Sequence, residues 1–248
     1  MSEIIKKLED VSRDTSRPLG FGAVDRHDRK EPVIIACIVD KLQGSTIANV
    51  EGVDALVLPL DLKSVKIAKG VLRGSWQKND GKTGNKKLDF IICSIDVLPP
   101  GDIDRAGCIL EIDTALEDSL IRSINSLPVR AILLKDKKEK NSLSWQWLMC
   151  YRRFVDILTK PLVVPVPATI TIEELKLLWS IGINGFFITV TKDEESARLK
   201  ELRDLMGEED WQKLRHKKGS YRAVLPAETK AIVKFREETE KPEEEEEI

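Results

Sequence analysis

The stretch GCILEIDTALEDSL, residues 107–120, sets four acidic side chains where an apolar run ends. Glu111 is the unusual one. It lies inside the run, and glutamate is a poor helix cap. A carboxylate among Ile and Leu side chains costs several kcal/mol unless a cation such as Lys135 or a metal ion meets it. Alternation along a strand puts Glu111 and Asp113 on one face with Ile109, and Leu110 and Ile112 on the other. Lys135 ends a second apolar run, VRAILLK (129–135), and shares a face with Ala131 and Leu133. Asp96 shares one with Ser94 at the end of LDFIICSID (88–96). Brought to one opening, these groups could do carbonyl chemistry. A lysine that loses its proton attacks a carbonyl to form a Schiff base, and carboxylates carry the protons. Lys135, Asp113 and Asp96 are the candidate catalytic residues. A plainer role competes at each. Asp is a preferred helix N-cap, and Asp61 before LKSVKIAKG and Asp193 before EESARLKEL fit that role. Lys135 leads the charged cluster KDKKEK and also reads as a solvated or salt-bridged lysine.

Positioning such groups falls to the apolar runs. Seven are bounded by polar or turn residues: 32–40, 53–61, 88–96, 107–113, 129–135, 161–169 and 184–191. Each is rich in Ile, Val, Leu and Phe, as a strand buried on both faces of a parallel sheet requires. Helix-period segments follow five of them: DLKSVKIAKGVL, TALEDSLIRSINSL, SLSWQWLMCYRRFVDIL, TIEELKLLWSIG and DEESARLKELRDLM. This rhythm predicts βα units. PLGFGAV (18–24) is the candidate eighth strand, ahead of the others. Eight strands in about 250 residues predict an α/β fold of the (β/α)8 TIM-like barrel type. Its early connections are irregular. Only DRHDRKEP separates the first two candidate strands, and VLPPGDIDRAG lacks a helix period. An open doubly wound sheet is the alternative, but the glycine fingerprint that would follow its first strand is absent.

The domain reading is an N-terminal helix over 1–16, a barrel over 17–206, a C-terminal extension over 207–240 and a disordered acidic tail over 241–248. VLRGSWQKNDGKTGNKKLDF (71–90) reads as a polar, Lys-rich loop or hairpin outside the ring. Within it Gly81-Lys82-Thr83 invites a phosphate-loop reading. That motif needs a glycine where Trp76 stands, and a helix rather than a strand after it, so no nucleotide cofactor is expected.

The 248 residues are 42% apolar and 33% charged, enough for a core. A formal charge of −2 gives no basic field for nucleic acid. No apolar run reaches the about 18 residues that cross a bilayer. A cytoplasmic protein without a membrane partner is expected. Cys37, Cys93, Cys108 and Cys150 show no CxxC spacing and read as free thiols, the first three of them in strand-like runs. His27, in the DRHDRK connection, reads as a surface residue, with a general base at the mouth as the sharper alternative. The aromatic-rich WQWLMCYRRF reads as a helix packed on the sheet.

Five segments of the second half, CILEIDTALEDSLIRSI, AILLKD, KPLVVPV, TIEELKLLWSIGINGFFITV and KDEESARLKELRDLM, follow a recognisable order. Together they resemble the HpcH/HpaI-type aldolases of the pyruvate/phosphoenolpyruvate barrel superfamily over residues 107–206. Ile109 stands where that family usually has Gln. The resemblance implies Glu111 and Asp136 as metal ligands, with Mg²⁺ or Mn²⁺ as the cofactor. It also implies a lyase or aldolase acting on a small oxo-acid, the ion polarising a carbonyl and stabilising an enolate. Two alternatives stand beside it. One is a metal-free Schiff-base aldolase using Lys135. The other is a non-catalytic barrel serving as a binding or assembly subunit, with a homo-oligomer or protein partner in place of a small-molecule substrate.

Overall fold

In the computed structural model the described residues are 2–12, 31–38, 50–58, 69–77, 88–98, 107–135, 143–191 and 193–214. The chain divides into two units, Met1–His216 and Lys217–Ile248, and every described residue belongs to the first. The eight strands are β1 (Val33–Ile38), β2 (Ala55–Val57), β3 (Leu72–Trp76), β4 (Phe90–Ser94), β5 (Cys108–Asp113), β6 (Ala131–Lys135), β7 (Leu162–Val166) and β8 (Gly185–Val190). All are parallel, and β8 pairs back onto β1 to close the ring. The described helices are α1 (Glu3–Ser12), α2 (Asp118–Ile124), α3 (Trp145–Ile157), α4 (Ile172–Ser180), α5 (Asp193–Glu208) and α6 (Trp211–Leu214). The chain is thus a (β/α)8 barrel. No helix among the described residues is long and apolar enough to cross a membrane.

Seven strands fall on the seven apolar runs. The third does not. Leu72–Trp76 lies in the segment expected to be a loop outside the ring, and it completes the barrel instead. The candidate strand at 18–24 lies outside the described residues, and the ring closes through β1 and β8 without it. The helix bounds follow local signals. Ser144 caps α3, its side chain accepting the Trp147 N–H at 3.4 Å. Thr171 and Glu174 form a capping box at α4. Tyr151 and Phe154 of α3 are buried, whereas Trp145 and Met149 are 80% and 66% exposed.

Which residues face the lumen follows from the register. Trp76 of β3 and Phe187 of β8 meet edge-on, with ring centroids 6.0 Å apart, although their strands are not neighbours. Both rings therefore point inward, and every position level with them along the pairing does too. Strand tilt stacks inward residues of alternate strands in layers of four. From the N-terminal end upward, these are Ala55, Phe90, Ala131 and Gly185; then Ile35, Gly74, Ile109 and Val163. Above them lie Val57, Ile92, Leu133 and Phe187, and uppermost Cys37, Trp76, Glu111 and Pro165. The packing alternates large with small. A Cβ on Gly74 would sit 2.2 Å from the Phe90 ring, so only glycine leaves room for it.

The amphipathic helix α1 stops the N-terminal end of the barrel. Its Ile4, Ile5 and Leu8 are fully buried. A Cβ on Gly107, ahead of β5, would meet Ser2 and Ile5, and one on Gly185 would come within 3.2 Å of Leu8. Polar ties hold the stopper in place. Asp54, 8% exposed, accepts the Ile34 N–H at 3.0 Å, Lys7 Nζ at 3.0 Å and an Arg203 nitrogen at 3.4 Å. At the far end of the chain's first unit, Trp211 is buried against Trp179. The Trp179 Nε1–H donates to the Trp211 carbonyl at 2.6 Å.

Candidate functional site

The C-terminal ends of the strands are where barrel enzymes carry their chemistry. One charged residue stands in the uppermost layer there. Glu111, 9% exposed, shares that layer with Cys37, Trp76 and Pro165. Lys135 rises one step higher on β6, its side chain 58% exposed, and its Nζ lies 3.6 Å from Glu111 Oε2. The meeting is dictated by pairing. Glu111 is level with Leu133, so the side chain two places on from Leu133 leans over it. Ser94, half-buried, is level with Glu111 on the other side.

Burial pushes the Glu111 carboxyl above the usual carboxylate range. The Lys135 charge pulls it down without cancelling the burial. A carboxyl so placed exchanges protons nearer neutrality than a surface glutamate. It also carries a stability signature. The folded chain holds this proton more tightly than the unfolded one, so its contribution is full below the unfolded glutamate pKa and is lost as pH rises through the folded value. Glu111→Gln has no such proton. Its melting temperature should match wild type at about pH 4 and exceed it by a widening margin toward about pH 8. A constant difference across that range, in thermal melts at stepped pH, would show that the carboxyl does not titrate as its burial requires.

The other candidates fall differently. Asp113 shares the inward face but turns to its own backbone, Oδ1 accepting the Ala115 N–H at 2.9 Å. That is the turn-stabilising role open to any Asp after a strand. Asp96 is exposed in the turn after β4. Asp136, His27, Asp61 and Gly81-Lys82-Thr83 lie outside the described residues, as does the side chain of Asp193. Cys93 and Cys108 are free, buried thiols 3.4 Å apart. They alternate away from Ile92 and Ile109 and therefore face away from the lumen. Three neighbours of the site, Cys37, Trp76 and Pro165, were not expected there. The alternation of Leu72, Gly74 and Trp76 was the signal for the middle one.

The fit of a divalent cation can be judged from Glu111. Its carboxylate already faces an ammonium at 3.6 Å, and a dication on the same oxygens would be repelled by it. Among the described residues no group of three or more His, Cys, Asp or Glu side chains converges. Glu111 is one oxygen donor, and Asp136, the second expected ligand for Mg²⁺ or Mn²⁺, lies outside the described residues.

No protein-family model matches the chain. No curated protein matches it either. Solved structures do. Thiamine phosphate pyrophosphorylase from Pyrococcus furiosus is similar at 12% identity and a TM-score of 0.50, over 73% of this chain and 98% of that one. A mutant tryptophan synthase α-subunit from the same hyperthermophile is similar at 11% identity and a TM-score of 0.50, over 71% and 97%. A protein from Aquifex aeolicus VF5 is similar at 10% identity and a TM-score of 0.52, over 88% and 100%. Two of the three are named as an enzyme or enzyme subunit. At these identities the likeness is one of fold.

Proposed function

We propose that the C-terminal mouth is the active centre of a lyase of the aldolase type that acts on a small oxo-acid through a Schiff base on Lys135. The observation that carries this reading is the 3.6 Å contact between an accessible amine and a buried carboxyl of raised pKa at the C-terminal ends of β5 and β6. Glu111 takes a proton from the ammonium, which frees the lone pair. The amine adds to the substrate carbonyl to give a carbinolamine. Glu111 returns the proton to the departing hydroxyl, and the imine forms with loss of one water. Glu111, a carboxylate again, takes the proton of the substrate hydroxyl two carbons from the imine as the carbon–carbon bond breaks. The electron pair passes into the protonated imine, and an aldehyde leaves. The enamine regains that proton on carbon before water hydrolyses the imine and frees the lysine.

Incubation with pyruvate and borohydride tests this. The reduced imine should appear as a stable mass increase on the peptide that carries Lys135. An unmodified Lys135, with turnover that chelator abolishes, would instead favour the metal-assisted chemistry implied by the resemblance, with Glu111 and Asp136 as ligands. A second reading, a binding or assembly subunit, draws on the 80% and 66% exposure of Trp145 and Met149, four residues apart on α3. It predicts a protein partner and no adduct.

A further inference from the structure

Among the described residues at this end, the charged pair and the large apolar side chains sit on different strands. β5 and β6 carry Glu111 and Lys135. β3 and β4 carry Trp76 and, beyond Ser94, Ile95 and Leu98. The last two are 53% and 91% exposed. The Gln77 N–H donates to the Ile92 carbonyl at 2.8 Å, which ties the end of β3 to β4 just below this turn. The Val97 N–H donates to the Ser94 carbonyl at 3.0 Å and folds the turn back on itself. Asp96 between them is exposed. Half-buried Trp76 continues the apolar side inward to Phe187, and Cys37 shares its layer of the lumen. An ion pair at β5–β6 beside an aromatic side chain and exposed aliphatic residues at β3–β4, as the described residues have them, is matched by an amphipathic ligand.

We infer that the substrate is a 2-oxo acid with an aliphatic tail, its carbonyl at Lys135 and its tail laid over Trp76 toward Ile95 and Leu98. This rests on the Schiff-base reading above and adds the substrate class. A fully buried methylene changes affinity about fourfold. A tail on a half-open wall should gain about two- to threefold per methylene on the same scale.

The experiment compares pyruvate, 2-oxobutanoate, 2-oxohexanoate and 2-oxooctanoate in two measurements on the full chain: the half-saturating concentration for borohydride trapping, and equilibrium affinity by calorimetry without reductant. Both should improve along the series, by roughly thirty- to two-hundredfold over the five methylenes from first to last. Leu98→Asp should cut that ratio at least about fivefold. No adduct with any acid, but affinity that still climbs with length, would remove the Schiff base and keep the tail site. Affinities that are flat or fall with length would overturn the inference, whether or not adducts form. So would a Leu98→Asp chain that keeps the full ratio and changes only its oligomeric mass, which would assign the rim to a second copy.

Discussion

Lys135→Ala should lower borohydride-trapped adduct with any 2-oxo acid by at least about a thousandfold, the scale on which loss of a covalent nucleophile is felt. The fold should survive. Lys135 is the last residue of β6, its side chain is largely in solvent, and among the described residues it pairs with Glu111. Without the ammonium, burial acts on Glu111 unopposed, and the carboxyl keeps its proton to a higher pH than in wild type. Lys135→Arg separates the two jobs of the residue. The guanidinium keeps positive charge beside Glu111 but stays protonated and adds to no carbonyl. It should abolish the adduct as completely as alanine does, while the pH dependence of the melting temperature stays close to wild type. Undiminished trapping in either variant would place the nucleophile elsewhere.

The second large effect is structural. Gly74→Ala puts a methyl group 2.2 Å from Cζ, 2.4 Å from Cε2 and 2.7 Å from Cε1 of Phe90. That ring is fully buried in the layer it shares with Ala55, Ala131 and Gly185, so it has no solvent to swing into. Overpacking of this kind costs about 3 kcal/mol, or roughly 6–12 °C of melting temperature for a chain of this size. Phe90→Leu alone leaves a void. Combined with Gly74→Ala, it should be less harmful than the two separate effects added, with a coupling of about 1 kcal/mol or more in a double-mutant cycle. Strict additivity would mean that the two positions do not compete for the same space.

The same pair explains what could and could not be read in the amino-acid string. Strands such as VIIACI and AILLK are apolar on both faces because helices cover them, and such runs stand out. LRGSW has a glycine at its centre because a neighbour's ring fills that volume. It also carries exposed Arg73 and sits among lysines. Its inward residues Leu72, Gly74 and Trp76 do alternate, but the pattern is short, and the partner that gives the glycine its reason is sixteen residues away. Glu111 was legible because a charge inside an apolar run demands an explanation. Its meeting with Lys135 was legible because strand period fixes the face, although only the β5–β6 register fixes the height. Asp96 and Asp113 could not be told apart from turn residues, since Asp serves loops and active sites with the same oxygen. What surrounds Glu111 was hidden for a further reason. A lumen layer draws on four strands spread along the chain, and no local window contains them.

The β1–β8 seam runs the full length of both strands, from Val33 against Gly185 to Ile38 against Val190. During synthesis, therefore, the first strand to leave the ribosome waits for the last before its outer edge is paired. Until then a nascent half-barrel offers that bare edge to any passing strand, its own kind included. Joining the two ends through so many intervening residues is also the slowest kind of closure for a chain to find. The seam is therefore the edge that an assembling barrel leaves unpaired longest.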